Sequence, residues 1–228
     1  MPVLQTIGDH FIMMFDMDQL DLARSYKLLS SSIVPRPIAW VVSQDGNGVA
    51  NAAPYSLFNF FGGHPPVVCI GMGRPGGRDK DSLSNIRATR EFVINMVTAS
   101  LAQAMNTTAV AFPSGVNELD KAGLETVACS RIAGRRIKQS PVALECRLQQ
   151  IIDVKPSSVI VMATVQAMHI DNEYVKDTQR CHVDSARFEA IGRMESPGWY
   201  TCTGDRFAMP QPTLEEWESY RHGRQRLE

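Results

Sequence analysis

No stretch of this 228-residue chain approaches the roughly 18 uninterrupted apolar residues of a membrane span. The N-terminus also lacks a basic segment leading into an apolar run and a small-residue cleavage site, and the two absences set the expectation of a soluble, cytoplasmic protein. Charge of one sign is missing as well. With 23 Lys and Arg against 24 Asp and Glu, there is no electrostatic footprint for nucleic acid or an anionic membrane as the principal partner. The five cysteines, Cys69, Cys129, Cys146, Cys181 and Cys202, contain no Cys-x-x-Cys pair. The usual zinc and dithiol redox spacings are therefore excluded, and reduced, mostly structural thiols are expected. Asn106-Thr107-Thr108 matches a glycosylation sequon but has no secretion signal to route it. His169, Asp171, Glu173, His182 and Asp184 gather loosely around one loop without the spacing of a metal site, so no metal is expected.

A dinucleotide fingerprint is lacking in substance though present in letters. Gly71-Met72-Gly73-Arg74-Pro75-Gly76 reads G-x-G-x-x-G after a strand, but Pro75-Gly76-Gly77 prevents a helix from opening inside it. Glu91, twenty residues after Gly71, precedes a strand instead of ending one. The glycines read better as a loop that lets backbone approach a neighbour closely.

What is present is organised around Arg36 to Ser56. Arg36 to Ser43 is apolar and β-branched, Asp45-Gly46-Asn47-Gly48 supplies a tight reversal, and the chain returns through Val49 to Asn51-Ala52-Ala53-Pro54-Tyr55-Ser56. Pro54 cannot donate to a ladder, so the strand is expected to leave the sheet near there, freeing backbone groups for a turn or a ligand. Asn59 to Pro66 reads as turn chemistry and Pro66 to Met72 as a strand. Arg78-Asp79-Lys80-Asp81-Ser82 then leads into a helix from Ser82 to about Ala88, capped by Asp81 or Ser82. Its N-terminus, with Lys80, Arg78 and the Ser82 hydroxyl, suits a phosphate, although an ordinary capped helix with solvated charges has the same appearance.

Downstream, Phe92 to Val97 reads as a strand, Thr98 as a helix cap, and Asn117 to Gly123 as a short helix ended by Gly123. Ala128 to Gln139 is basic but lacks the aromatics of a nucleic-acid surface, so a solvated loop is expected. From Ala143 to Gln149, Leu144, Cys146 and Leu148 alternate with Glu145, Arg147 and Gln149, which predicts one buried and one wet face. Lys155 to Ser158 turns this hairpin, and Val159 to Ile170 returns. An N-terminal arm of about 1–25 and a tail of about 201–228 flank a single domain. The tail's Trp217 and Tyr220 are expected to pack on its own barrel or on a second subunit.

Hairpin-connected strands with few short helices point to a mainly β fold, an antiparallel, closed Greek-key barrel. Arg36-Pro37-Ile38-Ala39-Trp40-Val41, Asn51 to Ser56, Lys80-Asp81-Ser82 with Asn85-Ile86, Glu91 to Asn95, Ser140 to Cys146 and Ile191-Gly192-Arg193 together resemble the flavin reductase-like family of FMN-binding split barrels. That family takes in flavoredoxin-like and nitrilotriacetate monooxygenase component B-like proteins, and the resemblance covers Tyr26 to Tyr200. It implies a split barrel, a homodimer and bound FMN. It places Asn51, Ala53, Pro54, Tyr55 and Ser56 along the flavin, Lys80, Asp81, Ser82 and Asn85 about the phosphate, and Arg36 and Ser43 as further neighbours. His169, Arg193 and Tyr200 are candidates for shaping the second-substrate pocket; no general acid or nucleophile is assigned. The implied reaction is hydride transfer from NAD(P)H to flavin N5, with reduced flavin passed to an acceptor or partner monooxygenase. A flavoredoxin-like electron carrier, an FMN enzyme acting on another small molecule, and a non-catalytic flavin binder are the alternatives.

Overall fold

The computed structural model describes residues 3–7, 10–154 and 157–224. A hairpin of β1 (Val3–Ile7) and β2 (His10–Met14) opens the chain. Helix α1 (Leu22–Ser32) follows, started by Asp21, whose side chain accepts from the Arg24 N–H at 2.8 Å. The main elements are then β3 (Ala39–Gln44), β4 (Ala50–Tyr55), β5 (Phe58–Gly63), β6 (Pro66–Gly73), α2 (Asp81–Thr89), β7 (Glu91–Asn95), α3 (Ala102–Thr107) and α4 (Glu118–Lys121). Beyond them come β8 (Thr126–Ala128), β9 (Arg135–Ile137), β10 (Val142–Val154), β11 (Ser158–Ile170), β12 (Val175–Asp177), β13 (His182–Val183), β14 (Ile191–Arg193), β15 (Tyr200–Cys202) and α5 (Leu214–Arg224).

Seven strands form one sheet in the order β4-β3-β7-β10-β11-β6-β5, every pair antiparallel. The fold is thus mainly β with a split barrel's antiparallel order, but the expected closure is not made. Strands β4 and β5 are both edges. The outer rim of β4 is spoiled for pairing: Ala52 N–H points away from β3 and donates to Glu118 Oε2 at 3.0 Å, and Pro54, two residues on and facing the same way, has no N–H. Strand β4 ends one residue past Pro54, where Tyr55 still pairs with Ala39.

Two cores lie on the two faces of the sheet. On one, Val41, Ile70, Met72, Phe92, Ile94, Cys146, Val159 and Val161 converge, and α2 inserts Leu83 and Ile86 among them. On the other, Trp40, Val42, Val93, Met105, Leu119 and Ile137 pack together, so α3, α4 and β9 cover the sheet there. Fully buried Trp40 keeps its indole N–H satisfied by Thr108 Oγ1 at 2.8 Å. This two-sided burial explains why β3 reads as a continuous apolar run.

Several local expectations change. Phe58–Gly63 is a strand with a bulge between Phe60 and Gly62, because β6 pairs with it, and the turn is confined to its end. Residues 128–139 are not all loop: they carry the end of β8 and the whole of β9, which pair as a hairpin, with Ile137 completely buried. Gly71 and Gly73 lie within β6, Pro75–Gly77 is a single 3-10 turn, and the helix opens only at Asp81, as rejection of the dinucleotide reading requires. Gly71 is needed because a Cβ there would sit 2.9 Å from Leu57 Cβ. Thr98 precedes a 3-10 turn without a side-chain cap bond, its hydroxyl paired with Ser100 instead. In the β10–β11 hairpin, Lys155 and Pro156 of the expected turn lie outside the described residues. In the tail, Phe207 and Met209 are about four-fifths exposed (82% and 79%) and Trp217 is half exposed. The side chain of Tyr220 lies outside the described residues.

Glu145 departs furthest from its pattern. Assigned by alternation to the wet face of β10, it is fully buried beside a register shift. Ser130 N–H (2.7 Å), Ser130 Oγ (3.0 Å), Arg131 N–H (2.6 Å) and His169 Nε2 (2.5 Å) all reach its carboxylate. Burial pushes this carboxyl up, but the hydrogen bonds from Ser130, His169 and Arg131 outweigh it and hold it down at about 2.

Candidate functional site

Helix α2 is placed by three sets of contacts. Leu83 and Ile86 anchor it in the core. Ahead of it, Asp79 bonds Arg74 Nε and Arg87 Nε, each at 2.7 Å, and fixes the loop that delivers Lys80. Asn85, one turn in, donates to Ser43 Oγ on β3 at 3.3 Å, and both residues are buried. The N-cap is Lys80, with no side-chain cap bond, so neither Asp81 nor Ser82 caps as expected. Ser82 Oγ accepts from Asn51 Nδ2 at 2.7 Å instead. That bond ties the edge strand β4 to the first turn of α2, and the helix's leading N–H groups keep no side-chain acceptor.

A cavity of about 270 Å³ opens at this junction, with walls from Asn51, Ala53, Pro54 and Tyr55 on one side and Lys80, Asp81 and Ser82 on the other. The stretch 108–114 and Glu118 complete it. A second cavity of about 670 Å³ shares Pro54, Tyr55 and Ala109 with the first and adds Ser56, Tyr26, Gln103, Asn106, Arg193 and Tyr200. The two form a continuous recess along the β4 edge. Burial raises the Tyr55 phenol pKa, with the Ser82 hydroxyl opposing and the Glu118 and Asp81 carboxylates adding to it. Tyr55 is therefore a neutral hydrogen-bonding group across the physiological range.

Ten of the fourteen residues singled out from sequence thus line this recess: Asn51, Ala53, Pro54, Tyr55, Ser56, Lys80, Asp81, Ser82, Arg193 and Tyr200. Ser43 and Asn85 stand behind it and hold α2. Arg36 lines neither cavity; it is buried, donating to the Ser30, Ile33 (3.1 Å) and Met194 (2.8 Å) carbonyls. It clasps the end of α1 to β14, and its backbone pairs with Arg193. Arg78 lines neither cavity. His169 is hydrogen-bonded to Glu145, while Glu173 pairs with Arg187 and Asp184 with Lys176, so these three members of the loose cluster face different partners. Sequence reasoning missed Tyr26, Thr108 to Phe112 and Glu118. No local signal marks them, since Glu118 stands in an ordinary Asn117-capped helix turn.

Residues 30–187 match the flavin reductase like domain family. The chain belongs to the flavin reductase-like family. Among solved structures it is similar to the 2-nitrobenzoate 2-nitroreductase NbaA of Pseudomonas fluorescens, with 33% identity, TM-score 0.81, and 88% of this chain and 97% of that one covered. It is also similar to nitrilotriacetate monooxygenase component B of Bacillus cereus, with 27% identity, TM-score 0.82, and coverage of 87% and 98%. A protein of Deinococcus radiodurans is 37% identical over 210 residues, 90% of this chain and 92% of its own length. Flavin binding and oxidoreductase chemistry of this family's kind follow for the chain.

Proposed function

We propose that this family member is an FMN-dependent NAD(P)H:flavin oxidoreductase, with FMN spanning the recess between β4 and α2. The observation that carries this reading is the Asn51–Ser82 bond, which joins a proline-bearing strand edge to an uncapped helix start in one cavity. The donor set fits the cofactor. Lys80, the Ser82 hydroxyl and the leading N–H groups of α2 suit a phosphate, and Asn51, Ala53, Pro54, Tyr55 and Ser56 offer edge backbone and flat side chains to a ring. The Glu118 carboxylate, also in the wall, is occupied by the Ala52 N–H. Bound there, FMN would supply hydride acceptance at N5 from a reduced nicotinamide and electron delivery to a second substrate or a partner monooxygenase.

The chain's own residues bind and orient. Lys80 and α2 neutralise the phosphate, Asn51 fixes the helix against the strand, and Tyr55 remains protonated at the junction of the cavities. No side chain is required as general acid or nucleophile. The apolar groove of about 560 Å³ between β5, β6, β10 and β11, flanked by exposed Phe60 and Met168, is the face for a second copy in a homodimer.

Purified protein mixed with FMN and either NADH or NADPH should oxidise the nicotinamide in an FMN-dependent manner, read by its absorbance. No turnover with either donor, with FMN still retained, would leave the electron-carrier or other-substrate reading. The second cavity favours the latter, since it offers room beside the ring site for a small molecule to be reduced, as the name 2-nitrobenzoate 2-nitroreductase describes for the Pseudomonas protein.

A further inference from the structure

Arg193 is the one charged side chain among the residues lining the 670 Å³ cavity, a volume in the range of small-molecule sites. Its position is built, not incidental. Gly192 before it admits Pro35 so closely that a Cβ there would lie 2.8 Å from Pro35 Cβ. The Arg193 backbone is held on both sides, by Arg36 (2.8 and 2.9 Å) and by pairing with Tyr200 across β14–β15. The guanidinium donates to Tyr200 Oη at 2.5 Å and the Pro197 carbonyl at 2.8 Å, and its carbon lies 4.6 Å from the Tyr200 ring centroid. All of these partners are neutral. Among the described residues Arg193 makes no ion pair, whereas Arg74, Arg87, Arg147 and Arg187 each pair with a carboxylate. A half-buried, pre-oriented fork with neutral partners alone leaves its charge facing the cavity.

We propose, resting on the flavin site next door, that Arg193 selects an anionic substrate: it receives the carboxylate or phosphate group of the molecule held in this cavity, with Tyr200 fixing the guanidinium plane. Tyr26, Ile38 and Met105 would contact the substrate's apolar body. The same fork chemistry serves a carboxylate on a small aromatic acceptor or the pyrophosphate of a nicotinamide donor, and the probes separate them.

Benzoate, benzamide and ADP-ribose are titrated calorimetrically against the protein and against Arg193→Met. Loss of about tenfold or more in affinity for at least one anion, with benzamide unchanged, is expected. Benzoate alone affected assigns the carboxylate source, ADP-ribose alone the pyrophosphate source, and both the shared chemistry. Anion affinities unchanged by the substitution, or benzamide falling equally, would overturn the proposal. Arg193→Lys keeps the charge without the fork should the Met variant fold poorly: only part of the anion affinity should persist, with the salt sensitivity of an ion pair, and salt-independent anion binding in both the natural and Lys proteins counts against the idea. Each titration is run with and without FMN. If FMN fails to bind, the flavin reading is lost while the anion test is still read on the cavity; if FMN binds with no Arg193 effect, only this inference falls.

Discussion

Two places in the molecule gather backbone N–H groups around a point suited to an anion, and they are completed differently. At the Ser130–Arg131 turn the anion is internal: Glu145 fills the donors from a neighbouring strand and is held ionised down to about pH 2 in full burial. At the start of α2 no side chain caps the helix, Ser82 is engaged by Asn51, and the space opposite is a cavity. Donors closed by the chain itself stabilise the fold, while donors left open beside a cavity are available to a ligand. That contrast separates a structural carboxylate from a binding site made of the same chemistry.

The contrast can be broken most forcefully at the closed end. Glu145→Ala leaves the Ser130 and Arg131 N–H groups without their acceptor and should cost about 3 kcal/mol or more of stability in chemical denaturation, with flavin affinity of the remaining folded protein unchanged. A loss under about 1 kcal/mol would show that the closed site does not hold the fold.

Acid tests the same carboxylate without mutation. Its folded value of about 2 lies below the ordinary 4.5, so its stabilisation is fully present above about pH 4.5 and is lost as pH falls toward 2. The loss should be on the order of 3 kcal/mol across that window, and Glu145→Gln should flatten it. An equally steep acid profile in the Gln variant would place the titration elsewhere.

At the open end, Ser82→Ala removes the acceptor that fastens Asn51 to α2 and should weaken FMN binding by about tenfold, close to 1.4 kcal/mol, with a smaller effect on stability. Unchanged FMN affinity would mean that the tie is dispensable to the site. The smallest effect is expected at the tail: deleting Gln211 to Glu228, exposed where its side chains are described, should leave the fold's denaturation midpoint unchanged and shift the protein toward monomer in sizing.

Much of this was legible in the sequence because it is local. The β3–β4 hairpin announces itself through Asp45 to Gly48, whose Asp45 carboxylate accepts from the Asn47 and Val49 N–H groups. The start of α2 is marked by Lys80-Asp81-Ser82, and the β10 and β11 faces by their alternation. What was not legible depends on partners distant along the chain. Glu145 is buried because Ser130 and Arg131 reach it, β5 is a strand because β6 pairs with it, and Glu118 joins the cavity because Ala52 lacks a strand partner on that side. The barrel's failure to close could be anticipated only in part, from Pro54, since the role of Glu118 on the same rim has no sequence signature.

The open site is tested most directly by measuring FMN and riboflavin affinities in the natural protein and in Lys80→Ala. The account predicts that the substitution weakens FMN by tenfold or more, in keeping with about 1.5 to 3 kcal/mol for a charged hydrogen bond, and leaves riboflavin nearly unchanged. Equal losses for the two flavins, or none for either, would contradict the assignment of the α2 start to the phosphate and with it the joining of strand edge and helix around one cofactor.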